Sequence, residues 1–225
     1  MTNKVFKLSP SDFSFLWECK RCFYLKVVEN VRQVSMPLPK IFTKIASMEK
    51  SYFDGKTTQD ISSELPLGRV VYGEKWVQST PITFPGIEGS CYISGRFDNV
   101  VEFDDGGFGV IDFKTAETKQ DHVELYSRQL HAYAYALQHP APGKLGLSPI
   151  TKLGLCCLEP DSMTAIEDGF GFKCKSVWLE CPRDDEVFMG FLHEVMEVIT
   201  SPKPPAGSFD CQWCQYRDYS RRSGL

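Results

Sequence analysis

Gly95-Arg96-Phe97-Asp98, then Ile111-Asp112-Phe113-Lys114-Thr115, then Gln129-Leu130-His131-Ala132-Tyr133: the reading of residues 95–133 decides the fold. Tyr92 to Phe103 and Phe108 to Thr115 form the strongest hairpin signal in the chain, joined by Asp104-Asp105-Gly106-Gly107. Alternation along the second strand puts Asp112 and Lys114 on one face, with Ile111 and Phe113 on the other. Whether Asp98 joins Asp112 depends on the register. An even loop pairing Phe103 with Phe108 sets Asp98 across from Phe113. A three-residue loop with a glycine bulge pairs Phe103 with Gly107 and sets Asp98 across from Asp112, and Gly106-Gly107 makes that turn inexpensive. We therefore expect a bulge or odd-length turn. Two like charges about 4 Å apart repel by roughly 4 kcal/mol at an effective dielectric near 20, so the pair wants a cation between them. The alternative is a strand-end aspartate beside an exposed Asp112–Lys114 pair, worth about 0–1 kcal/mol.

Around this stretch the pattern alternates between helix and strand. Ser9-Pro10-Ser11-Asp12 is a helix start that runs on towards Cys19 and Cys22, and Pro37 and Pro39 mark a connector at 35–40. A helix is expected over about 41–54, with Phe42, Ile45, Met48, Tyr52 and Phe53 as its buried stripe. Glu49 lies on that stripe, either as an edge acid reaching solvent or as a group turned into a site. Residues 56–68 are loop-like, Arg69 to Val77 is β-prone, and Pro81 and Pro85 bracket a short extended piece. A second helix is expected over about 120–138, placing Gln129 and Tyr133 at i and i+4 on one face. Leu153 to Leu158 reads as a buried strand and Phe172 to Glu180 as another. Asp184-Asp185-Glu186 opens a last amphipathic helix, and a proline-rich stretch leads to a basic tail. From residue 41 the order is helix, three strands, helix, strand. It implies an α/β fold with a mixed central sheet flanked by helices.

With 225 residues, 42% of them hydrophobic, the chain can bury a sizeable core and fits one domain over 1–225. Its formal net charge of −4 means that any nucleic-acid contact must come from local basic patches. No apolar run reaches the roughly 18 residues of a membrane span. Met1-Thr2-Asn3-Lys4 lacks the apolar stretch of a secretory leader, so the nine cysteines are expected as reduced thiols in a cytoplasmic protein. Cys19-x-x-Cys22 and Cys211-x-x-Cys214 can together supply four thiolates to one centre, zinc or iron–sulfur. Such a centre would join the ends, about 9–26 and 207–222, across the domain. Cys91, Cys156, Cys157, Cys174 and Cys181 read as free thiols. Lys20, Arg21, Arg217, Arg221 and Arg222 would gather near the centre as phosphate contacts, with Trp213 and Tyr216 available to stack on unpaired bases.

The ordered set G-x-x-D, I-D-x-K-T and Q-x-x-x-Y, carried by Gly95, Asp98, Asp112, Lys114, Gln129 and Tyr133, resembles the RecB-like branch of the PD-(D/E)XK nuclease superfamily, over a core of about 41–160. The resemblance implies a restriction-endonuclease-like core and a DNA nuclease dependent on Mg²⁺ or Mn²⁺, acting on single-stranded DNA or DNA ends, exonuclease before endonuclease. It implies that Asp98 and Asp112 bind the metal with the main-chain carbonyl of Phe113, and that Lys114 is the catalytic lysine. Gln129 and Tyr133 position DNA and the site, and Glu49 matches an acid on the first core helix. A histidine that some relatives carry on that helix, near Ile45 here, is missing. The terminal cysteines resemble those of AddB and CRISPR-adaptation nucleases, which implies a 4Fe–4S cluster, although those relatives split their cysteines one and three. The same likeness implies partners among nuclease or CRISPR-adaptation proteins. Two other readings stay open: an inactive nuclease fold serving as a DNA-binding or assembly subunit, and a redox protein working through its C-x-x-C thiols.

Overall fold

The computed structural model describes residues 4–34 and 39–223; Met1 to Asn3 and most of the expected 35–40 connector, Pro37 included, lie outside them. A five-stranded sheet in the order β2-β5-β6-β7-β8 forms the centre, from β2 (Gly68–Gly73), β5 (Asn99–Phe103), β6 (Phe108–Lys114), β7 (Ile150–Ile166) and β8 (Gly169–Glu180). Within this sheet only β6 and β7 run parallel, joined by the crossover helix α5 (Asp121–Gln138). The other pairs are antiparallel, so the sheet is mixed. With α3 (Lys40–Phe53) before it, this sheet carries the expected order of helix, three strands, helix, strand.

The chain also makes an excursion that the pattern does not announce. β1 (Val5–Leu8), β3 (Trp76–Gln78) and β4 (Ser90–Arg96) form a second sheet in the order β1-β4-β3. The β-prone run from Arg69 to Val77 is therefore two strands in two sheets, and so is the run from Tyr92 to Phe103. The second run breaks at Phe97-Asp98, where Phe97 is buried in the core and Asp98 turns out at the bend.

Three further expectations need correction. The first helix is two short ones, α1 (Pro10–Phe15) and α2 (Lys20–Val27), because the turn between them places Cys19 at the N-cap of α2. Residues 56–68 contain the short helix α4 (Thr58–Ile61), closed by a Thr57–Asp60 capping box. The basic tail is helical as α7 (Gln212–Arg222), following α6 (Asp185–Thr200), whose Asp184 N-cap accepts from Val187 N at 2.9 Å.

The pleat divides the core. Ile111 and Phe113 join Phe53, Ile61, Val101 and Trp178 on the α3/α4 side, while Val100, Val110, Leu155 and Cys157 pack with α1, α5 and α6 on the other. Helix α3 packs on the sheet through its last turn, where Phe53 stacks on Phe113 at 4.8 Å. Phe42, Met48 and Tyr52 of its expected buried stripe are exposed, because the rest of the helix overhangs the sheet. Among the described residues, no helix is long and apolar enough to cross a membrane.

Candidate functional site

The β5–β6 hairpin takes the odd register. Asn99 pairs with Ile111, Val100 with Val110 and Glu102 with Phe108, which sets Asp98 across from Asp112 one step beyond the ladder. Phe103 N donates to Gly107 O at 2.8 Å, closing a three-residue loop in which Gly106 adopts φ +85°. Only glycine takes that conformation cheaply. Past Ile111 the β5 ladder has ended, so Asp112 to Lys114 are paired with β7 alone.

Asp112 is 4% exposed and faces α5. Gln129 Nε2 donates to its Oδ1 at 3.2 Å, and Gln129 Oε1 accepts from Ser14 Oγ of α1 at 3.4 Å. Oδ2 forms an ion pair with Lys114 Nζ but no hydrogen bond of proper geometry, so it keeps acceptor capacity in a buried place. Burial pushes the Asp112 carboxyl well above the usual carboxylate range; Lys114 opposes this and the facing Asp98 adds to it. Burial works against the Lys114 ammonium too, yet the Asp112 charge outweighs it and holds the lysine above its ordinary value. The ammonium also lies over the ring of Tyr126, 4.3 Å from its centroid.

Asp98 is half-buried and pairs with Lys50 Nζ at 3.1 Å; Lys50 in turn holds Glu74 at 2.7 Å. Glu49 approaches from the α3 side and accepts from Thr115 Oγ1 at 2.7 Å, its carboxyl pushed up by burial and by the Asp98 charge. Tyr133 donates to Arg96 O at 2.8 Å, fixing the backbone just before the Phe97-Asp98 bend. Gly95 lets this happen: a Cβ there would stand 2.7 Å from Pro10 Cδ and 3.2 Å from Tyr133 Cε1. Gln129 and Tyr133 are both buried and turned inward, so they hold the site's own groups. Lys50 and Glu74 carry no role in the sequence reading, and Tyr126 figures there as part of the apolar face of its helix with Leu130, Tyr133 and Leu137, without a place in the site. Lys50 follows Glu49 directly and Tyr126 lies a helical turn before Gln129, the only signals that could have raised them.

Two carboxylates facing each other, one of them buried, are the kind of donors a hard divalent cation takes, and the residues fit such a cation.

The cysteine pairs also meet. The sulfurs of Cys19, Cys22, Cys211 and Cys214 lie within 4.8 Å of one another, from α2 and α7 at opposite ends of the chain, and could hold a metal ion. Burial opposes the Cys19 thiolate, but the backbone N–H groups of Ser208 and Cys22 and the neighbouring thiols bring its pKa down to about 7. Burial pushes Cys22 up to about 11. The five other cysteines lie apart from this cage, and Cys174 alone among them is exposed. The expected basic cluster is partly spent: Lys20 pairs with Glu194, and Arg21 with Asp218 at 3.1 Å. Arg221 and Arg222 are exposed, as are Trp213 and Tyr216; Arg217 is half-buried.

A family model described as the PD-(D/E)XK nuclease superfamily matches residues 40–219. Among solved structures, the fold is similar to that of the crystal structure of SSO0001, with 16% sequence identity and a TM-score of 0.56, covering 97% of this chain and 85% of that one. That likeness concerns the fold alone. No curated protein matches. The family model spans most of the chain and includes every element of the carboxylate site except α1, and on that ground the chain belongs to the PD-(D/E)XK nuclease superfamily.

Proposed function

We propose that the chain is a deoxyribonuclease dependent on Mg²⁺ or Mn²⁺, hydrolysing phosphodiester bonds of single-stranded DNA or DNA ends, exonuclease before endonuclease. The observation that carries this reading is the facing of Asp98 and Asp112 at the end of β6, with Lys114 paired to the buried member. Asp98 and Asp112, with the main-chain carbonyl of Phe113, would hold the cation, which when bound would supply neutralisation of phosphoryl charge and a more acidic water. Gln129 fixes the rotamer of Asp112, and Tyr133 fixes the bend that presents Asp98. Lys114, already charged and held by Asp112, orients the attacking water or meets charge developing on the phosphate. Glu49, tied to Thr115, stands as a further acid at the rim. Arg217, Arg221 and Arg222 contact phosphates, and the exposed Trp213 and Tyr216 offer faces for unpaired bases.

The test is cleavage of single-stranded and duplex DNA with Mg²⁺ or Mn²⁺, by the protein and by Asp112→Ala and Lys114→Ala. Equal activity in all three ends the reading. One observation favours a second one: Ile41, Phe42, Met48 and Tyr52 leave an apolar side of α3 exposed, as an assembly subunit would. DNA binding without cleavage under any divalent ion selects that alternative.

A further inference from the structure

The spacing of the four thiols measures what they can enclose. Sγ separations are 3.6 Å for Cys19–Cys214, 3.6 Å for Cys22–Cys211 and 3.7 Å for Cys22–Cys214, with all four sulfurs inside 4.8 Å of one another. Four thiolates around one tetrahedral zinc ion, at a Zn–S bond of about 2.3 Å, stand about 3.8 Å apart along each edge. A four-iron cluster makes a different demand. Each thiolate binds its own iron, and the iron and sulfide atoms of the cluster fill the space between, so the sulfurs must spread well beyond a single-ion edge.

The surrounding backbone keeps the cage at the smaller size. A Cβ on Gly207 would stand 2.8 Å from Cys214 Cβ and 2.9 Å from its Sγ, so the loop before α7 closes directly on that sulfur. The next residue, Ser208, donates its N–H to Cys19 Sγ at 3.4 Å, tying the same loop to the thiolate on α2. Spreading the sulfurs apart would disturb the Ser208 hydrogen bond and the close packing of Cys214 on Gly207. The donors are all sulfur, in two C-x-x-C pairs, which suits a soft or borderline ion and not a carboxylate-loving one.

We propose that the cage holds a single structural zinc ion, in place of the 4Fe–4S cluster that the terminal cysteines imply by resemblance. Zinc does no redox chemistry, and all four positions are filled by protein, so the site clamps α2 to α7 and takes no part in cleavage. The proposal stands apart from the nuclease reading, because its test uses no DNA.

The experiment is anaerobic purification of the full chain, followed by elemental analysis and a visible spectrum. One zinc per chain, no iron and no visible absorption are expected. Replacement of the metal by Co²⁺ is then expected to give the intense visible bands of a tetrahedral thiolate site and a thiolate-to-metal charge-transfer band. A brown protein with about four irons overturns the proposal. So does a red protein with one iron, or a metal-free protein with four reactive thiols. Because these readings are made on the unmutated protein, they hold even if cysteine variants fail to fold.

Discussion

The carboxylate site and the cysteine cage meet the same short segment of chain, Ser14 touching Gln129 in one and Cys19 and Cys22 entering the other, but they hold their shapes differently. In the carboxylate site every acid already has a protein partner: Lys50 for Asp98, Gln129 and Lys114 for Asp112, Thr115 for Glu49. Its side chains are already held by protein contacts, so a metal there would add chemistry. The cage has little inside it but sulfur. Cys19, Cys22 and Cys214 form a small cluster separate from the two main cores, with Cys211 packed against it. A metal there adds folding free energy, because it closes the chain from residue 22 to residue 211. The comparison predicts that activity and stability in this protein are separable, and each experiment below bears on that separation.

The largest effect is expected from Asp112→Asn. The amide keeps an oxygen for Gln129 but is a poor ligand for a hard cation. The loss of several kcal/mol of metal-borne stabilisation lowers cleavage by about 10³-fold or more. The melting temperature is expected to change little, because relief of the buried charge facing Asp98 is offset by the loss of Lys114's partner. A single-turnover assay beside a thermal melt reads both. A variant that lost activity by unfolding would break the comparison.

Cys22→Ser, or extraction of the metal by a chelator, works from the other side. Opening a loop of that length releases chain entropy worth about 5 kcal/mol. For a chain of this size that corresponds to a fall of roughly 10–20 °C in melting temperature. Measured well below the melt, kcat at saturating DNA stays within a few-fold of the parent, while KM rises because the released α7 carries the phosphate contacts Arg217, Arg221 and Arg222. If cleavage disappears while the melt is unchanged, the cage belongs to the catalytic machinery and the two regions are one.

Much of this was legible in the sequence, and what was not has identifiable causes. The hairpin register followed from Gly106 and Gly107, because side-chain alternation leaves only two outcomes and one of them needs a left-handed glycine. Helix α5 followed from its periodicity. The second sheet did not, because the break at Phe97-Asp98 carries no glycine or proline and the apolar pattern runs on through it. The exposed side of α3 was misread for a related reason: an amphipathic stripe reports that a helix has an apolar face, not how far the sheet beneath it extends. Lys50 and Tyr126 look ordinary in sequence, as a lysine on a helix and an aromatic on a core-facing stripe. Their place in the site exists only once α3, β6 and α5 converge.

Gln129→Ala tests whether the carboxylate site is held by its hydrogen bonds. The substitution leaves Asp112 Oδ1 buried without its donor, a loss of about 1.5–3 kcal/mol for a bond to a charged group. Cleavage is expected to fall about 10- to 100-fold on that scale, with zinc or iron content unchanged. Ser14→Ala, one bond further out, is expected to cost only a few-fold. Equal rates for Gln129→Ala and the parent would mean that Asp112 is held by Lys114 alone.

The smallest effect separates ring from hydroxyl at Tyr126. Lys114 Nζ lies 4.3 Å above this ring, within cation–π range, while Asp112 takes the same ammonium from the strand side. The ring thus limits where the ammonium can point, which matters only if Lys114 acts on substrate. A contact of this kind is worth about 0.5–2 kcal/mol, which converts to roughly 2- to 30-fold in rate. Tyr126→Leu is expected to lower kcat by that factor and leave KM nearly unchanged, since no substrate contact is removed. Tyr126→Phe keeps the ring and is expected to cleave at the parent rate. Equal loss in the two variants would assign the effect to the hydroxyl, and no loss in either would mean that Asp112 alone aims the lysine.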